Sequence, residues 1–161
     1  MSAPTIPSQP AAPATLTAHD RRLVRTMRIA GRVHRTVLRA SGGRLGARWF
    51  GGSDVVQLTV RGRVSGRSFT VPLMSLPDGD DLLVVASQGG VDCEPQWWSN
   101  LLADPRAEVV WRRRRFGVVA ERVGDDERQQ LWDRFVATYA GFADYQAKVS
   151  RQIAVVRLRR P

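Results

Sequence analysis

Cysteine is nearly absent from this chain: Cys93 stands alone, which excludes an internal disulfide and a cysteine-rich zinc site. Histidine is almost as scarce. His19 and His34 both lie near the N-terminus, which argues against a histidine-based metal centre and a Ser-His-Asp triad. No apolar run approaches the ~18 residues of a membrane-spanning helix; the longest clean one is Leu82–Ala86. Met1–Thr17 lacks the basic and apolar regions of a secretory signal. These absences predict a chain in a reduced, cytoplasmic setting. No acid pair or nucleophile elbow is visible, and no metal is expected.

What is present is charge with a shape. The net charge is +10, and Lys148 is the one lysine among 25 basic residues. Residues 1–48 hold nine arginines against Asp20, whereas residues 49–161 hold fifteen arginines and Lys148 against fourteen acids. The body is therefore nearly neutral and the leading segment basic. With 161 residues, 43% of them apolar, there is material for one domain with a real core.

Three regions are expected. Residues 1–18, with Pro4, Pro7, Pro10 and Pro13, read as an extended or disordered tail. Residues 19–43 read as a basic amphipathic helix ended by Gly42-Gly43, with Asp20 suited to its positive end. At helical spacing Arg21, Arg25, Arg28, Arg32, Arg35 and Arg39 share one stripe, opposite Leu23, Met27, Ala30, Val33, Val37 and Leu38. That pattern suits a helix packed on the domain with a solvated basic face. It also suits, as the second reading, peripheral attachment to an anionic membrane at the inner face of the cell membrane, and a basic nucleic-acid- or membrane-binding module is an alternative function. Nucleic-acid binding is not expected, because no aromatics interleave the arginines to stack bases.

Residues 44–161 switch to period two. Val56, Leu58 and Val60 alternate with their neighbours as a strand. Further strands are expected at Ser68–Leu76, Leu82–Ser87, Ala107–Trp111, Phe116–Val123 and Gln152–Leu158. Pro77-Asp78-Gly79-Asp80 has turn chemistry. Helices are expected from Pro95 to Ala103 and over Asp125–Tyr139, the latter opened by three acids. Meander-like strands with few crossover helices predict an antiparallel, barrel-like α+β fold.

The chemistry lies in glycine- and arginine-bearing strand ends. The turn Gly62–Arg67 offers backbone N–H groups, Ser65, Arg63 and Arg67. It is either a phosphate cradle or a β-turn with solvated arginines. Ala86-Ser87-Gln88-Gly89-Gly90 is a strand end whose glycines allow close approach of a flat ligand.

Together with Val71-Pro72-Leu73, Val84–Gly90, Pro95–Leu101, Ala103-Asp104-Pro105, Asp144-Tyr145-Gln146 and Arg151–Val156, these blocks resemble the deazaflavin-dependent nitroreductase and quinone reductase family, which uses coenzyme F-420. The resemblance covers about residues 45–161. It implies a split β-barrel, like that of pyridoxamine-phosphate oxidases, and a hydride transfer to a quinone, nitro or other electron-poor planar acceptor. The cofactor's phosphate and glutamyl tail would meet the first turn at Arg63, Val64, Ser65, Gly66, Arg67 and Phe69. Its ring would meet Pro72, Leu73, Met74, Val85, Ala86, Ser87, Trp97 and Asn100, with Gln88 toward the tail and Leu101 also among the cofactor-binding residues. Tyr139, Phe142 and Tyr145 would close the acceptor side, with Ser87 and Tyr145 as the groups that assist turnover. FMN and haem are the alternative cofactors, and ligand binding without turnover the alternative role. Val64 and Gln88 stand where the family pattern has lysine, Phe69 where arginine is common and Phe142 where tyrosine is usual. The resemblance therefore implies fewer cations on an anionic tail.

Overall fold

The computed structural model describes residues 17, 18, 20–22, 24–26 and 54–161. The expected tail and most of the basic helix, with Arg28, Arg32, Arg35 and Arg39 of its arginine stripe, lie outside the described residues. The start of that helix is present. Ala18, Asp20–Arg22 and Val24–Thr26 are helical. Thr17 caps them, accepting at its hydroxyl from the Asp20 N–H at 3.1 Å while its own N–H donates to the Asp20 carboxylate at 3.0 Å. This reciprocal pairing satisfies donors that a helix start leaves free.

Six antiparallel strands close into a barrel in the order β1-β2-β3-β6-β5-β4. They are β1 (Asp54–Arg61), β2 (Ser68–Asp78), β3 (Asp81–Val85), β4 (Arg106–Trp111), β5 (Arg114–Arg122) and β6 (Val155–Arg159). The register puts Leu58 opposite Val71 and Val109, Val84 opposite Val156, and Ala120 opposite Leu158. Successive side chains of a strand point to opposite faces. Val56, Leu58, Val60, Leu82, Val84, Val109, Val118, Val156 and Leu158 thus fill one core cluster, the barrel interior. Helix α1 (Gln96–Ala103) lays Trp97, Trp98 and Leu101 into it.

Leu83, Val85 and Val155 take the other face. There they meet Leu131, Trp132 and Phe135 of α2 (Asp125–Thr138) and Phe142 of α3 (Gly141–Ala147). Strand β3 is covered on both faces, which explains its unbroken apolar run. Full burial of a Leu, Val or Phe side chain is worth about 1.5–3 kcal/mol.

The strand boundaries depart from expectation in several places, and β5 opens two residues early, at Arg114. β2 runs two residues further, to Asp78, so the turn is Gly79-Asp80. β3 stops at Val85, and a 3-10 turn occupies Gln88–Gly90. β6 begins only at Val155. The third helix, α3, is absent from the sequence reading, which left 140–151 without structure. Its start is hidden by Gly141, where an added Cβ would lie 2.5 Å from the Tyr139 ring. Tyr145 therefore sits on a helix and does not merely follow one.

Candidate functional site

β1 ends and β2 begins at one end of the barrel, and β3 ends at the same one. Both glycine-bearing turns consequently emerge there. In the first turn Gly62 donates to the Arg67 carbonyl at 2.8 Å and Gly66 to the Gly62 carbonyl at 2.8 Å. Gly66 has φ of 65°, a left-handed value that a side chain resists. Asn100, 6% exposed, reaches up from α1. Its Oδ1 accepts from the Arg63 backbone N–H at 3.2 Å and from Arg63 Nη1 at 2.9 Å. A second bond runs from Arg63 Nη1 to Gln96 Oε1 at 3.1 Å.

Among the described residues Arg63 thus bonds neutral amides and forms no ion pair. Arg67 forms no ion pair among the described residues. Nor does Arg61, a residue the sequence reading missed, whose guanidinium passes within 3.7 Å of where a Cβ on Gly66 would lie. The signal for Arg61 was its place as the last residue before the turn. Val64 is 91% exposed, and Phe69 lies over Gly62, where an added Cβ would be 2.5 Å from its ring.

The second turn is held in an unusual shape. Gln88, Gly89 and Gly90 have φ values of 48°, 65° and 77°, three left-handed residues in a row. Gln88 is not glycine, so this conformation carries strain. Its side-chain amide donates to Cys93 Sγ at 2.8 Å and is directed at the protein. Burial pushes the Cys93 thiol above its ordinary value and keeps it protonated. Ser87 is half-buried at the start of the turn, and its hydroxyl has no partner among the described residues.

Tyr145 sits directly on this turn. A Cβ on Gly90 would stand 3.1 Å from the Tyr145 Cα and ring. The structure thereby packs Tyr145 on the turn that Ser87 opens, from a segment almost sixty residues away. The Tyr145 hydroxyl lies 3.5 Å from that of Tyr139. Burial first, then the Tyr139 hydrogen bond, pushes its pKa up to about 12. The hydroxyl is therefore neutral at physiological pH.

The remaining expected residues divide between the two cores. Leu73, Ala86, Trp97 and Leu101 belong to the barrel interior. Met74 and Val85 lie with Tyr139, Phe142 and Tyr145 in the outer cluster. The period-two alternation separates neighbours that a linear reading puts on one surface. Phe142, 6% exposed, makes edge contacts with Trp132, Phe135, Tyr139 and Tyr145, and serves as the packing centre for the tyrosines. Pro72 is half-buried on β2 opposite Gln57, and Ser65 accepts from the Arg67 N–H at 3.4 Å.

A closed antiparallel barrel carries a cationic turn and a glycine turn at one mouth, with Tyr145 packed on the latter, and this is a split-barrel architecture. Comparison with known proteins narrows the class. Residues 30–160 match the model of the F420H(2)-dependent quinone reductase family, and the chain belongs to that family. An F420H(2)-dependent quinone reductase of Mycobacterium tuberculosis (strain ATCC 25618 / H37Rv) is 36% identical over 132 residues, 80% of this chain and 89% of that protein. A solved F420-H2 dependent reductase is 31% identical, with a TM-score of 0.61 over 65% of this chain and 93% of that one. A second structure, described as a domain-swapped dimer, is 26% identical, with a TM-score of 0.64 over 84% of this chain and 99% of that one.

Proposed function

We propose that this protein reduces a quinone or a similar electron-poor planar acceptor with coenzyme F-420. The observation that carries the reading is the convergence at one barrel mouth of Arg61, Arg63 and Arg67, none in an ion pair among the described residues, and the Ser87–Gly90 turn beneath Tyr145. The donor set fits the cofactor: guanidinium groups in no such ion pair suit a phosphate and glutamyl carboxylates. When bound, the reduced deazaflavin supplies the hydride from its ring carbon. The chain's own residues then bind, orient and handle charge. The three arginines hold the anionic tail at the first turn. Asn100 fixes the Arg63 end of that turn. Ser87, its hydroxyl uncommitted, donates to the acceptor oxygen as negative charge develops there. Tyr145 holds a proton at its hydroxyl for that oxygen.

The test is a fluorescence titration of the purified protein with oxidised F-420 and with FMN, followed by a quinone reductase assay. Binding of F-420 alone, with turnover, supports the reading; binding of FMN alone overturns it. The same reading includes attachment to an anionic membrane through residues 19–40, supported by the six-arginine stripe. Each basic residue near such a surface is worth about 1 kcal/mol. Removing residues 1–40 should release the protein from sedimenting anionic liposomes, and equal sedimentation would count against attachment.

A further inference from the structure

We propose that Arg151 is the positioning residue for the acceptor side of the site, acting through the Ala86–Val91 turn; this rests on the reading of Ser87 given above. Arg151 lies between α3 and β6, and its side chain is only 10% exposed. Its Nη2 donates to the Ala86 carbonyl at 3.0 Å, the Ser87 carbonyl at 3.4 Å and the Val91 carbonyl at 3.5 Å. Its Nη1 faces Glu94 Oε2 at 3.4 Å, and its Nε is enclosed with no acceptor.

Enclosing a guanidinium behind one long ion pair is costly unless its hydrogen bonds are well used. Here they grip both ends of the strained segment. Ala86 and Ser87 precede the three left-handed residues Gln88, Gly89 and Gly90, and Val91 follows them. Such a conformation persists only where the surroundings over-determine it. One end of the gripped turn carries the free Ser87 hydroxyl. The other carries Gly90, against which Tyr145 packs. A single guanidinium therefore sets the position of Ser87 relative to Tyr145. Arg128, another enclosed arginine, differs in its targets. It places two donors on the Ile153 carbonyl and one on Gln146 Oε1, and reaches no part of the turn.

Arg151→Lys keeps the charge, but one ammonium cannot span three carbonyls and Glu94. Expected results are an intact fold, nearly unchanged F-420 binding and KM, and a kcat lowered about ten- to a hundredfold by the displaced hydroxyl. Amide hydrogen exchange across 87–91 should quicken. Adding Ser87→Ala should lower kcat no further, because the displaced hydroxyl has already ceased to contribute. Unchanged kcat with unchanged exchange, or effects that multiply, would overturn the proposal. If Ser87→Ala alone leaves turnover intact, the reading of Ser87 fails. Exchange rates in Arg151→Lys then still judge whether Arg151 holds the turn. Should Arg151→Lys not fold, Glu94→Gln removes the carboxylate that anchors the guanidinium, and unaltered exchange in that variant overturns the proposal.

Discussion

The two ends of the barrel treat arginine in opposite ways. At the end away from the glycine turns, carboxylates stand between the strands and hold the cations. Asp54 pairs with Arg112 at 2.8 Å. Asp78 pairs with Arg134 at 2.9 Å and Arg157 at 3.0 Å, and Arg157 reaches on to Glu127 at 3.2 Å. Asp81 accepts the Arg160 N–H at 3.0 Å. At the mouth, Arg61, Arg63 and Arg67 surround one turn and form no ion pair among the described residues, although the Asp104 carboxylate lies close enough to feel the Arg61 charge. Paired charges tie elements that are distant in sequence, while unpaired ones keep a positive potential available to a ligand.

The strongest way to break this comparison is to remove the mouth cations together. Arg61→Ala, Arg63→Ala and Arg67→Ala combined should weaken F-420 binding by about a hundredfold or more, since each charge-assisted bond is worth roughly 1.5–3 kcal/mol and 1.4 kcal/mol is tenfold. The dissociation constant should also lose most of its salt dependence, with Tm little changed. Unaltered affinity would place the tail elsewhere.

Asp78→Asn should do the reverse, lowering stability by about 1–3 kcal/mol in denaturant titration while F-420 affinity stays the same. Burial raises the Asp78 carboxyl, but the hydrogen bonds and charges of Arg134 and Arg157 outweigh it and hold it below its ordinary value of 3.8. A group depressed on folding contributes stability that is complete above its unfolded pKa. That contribution is lost as pH falls through the folded value. The wild type should therefore lose part of its stability in acid below about pH 4, a loss missing from Asp78→Asn.

Tyr145→Phe probes the mouth without touching charge. It should lower kcat about tenfold with little change in F-420 binding. Because the hydroxyl titrates only at about 12, the wild-type rate should show no alkaline limb from this group near its ordinary value of 10. A limb near 10 that vanishes in Tyr145→Phe would mean the hydroxyl is less buried than described.

The smallest effect belongs to Val64→Lys. At 91% exposure the new ammonium would reach the tail through water, so a gain of a few fold in affinity is expected, falling with salt. A matching gain is not expected from Gln88→Lys, because that side chain is turned onto Cys93.

Much of the architecture was legible because it follows local periods. The alternation in Val56, Leu58 and Val60 announced β1, the acids at 125–127 announced the start of α2, and Gly79 announced the β2–β3 turn. The family blocks named both turns of the mouth. Other features had no local signal. Nothing near 141–147 marks a helix, because the break at Gly141 is demanded by the Tyr139 ring folding back over it. Nothing about Met74 or Val85 says that they leave the surface of Leu73 and Ala86; the pleat decides that once the strands pair. Arg61 and Arg151 were simply two arginines among many.

The sequence by itself determined which segments alternate, where the chain must turn, and that the first turn carries positive charge. These are properties of neighbouring residues, and backbone sterics read them locally. Only the tertiary structure decided which arginines find carboxylates and which do not. It also decided that Arg151 closes on a turn some sixty residues away and that Tyr145 rests on Gly90. Those outcomes depend on barrel closure. Closure brings distant groups into a low-dielectric interior, where a charge or hydroxyl acquires its role from what surrounds it.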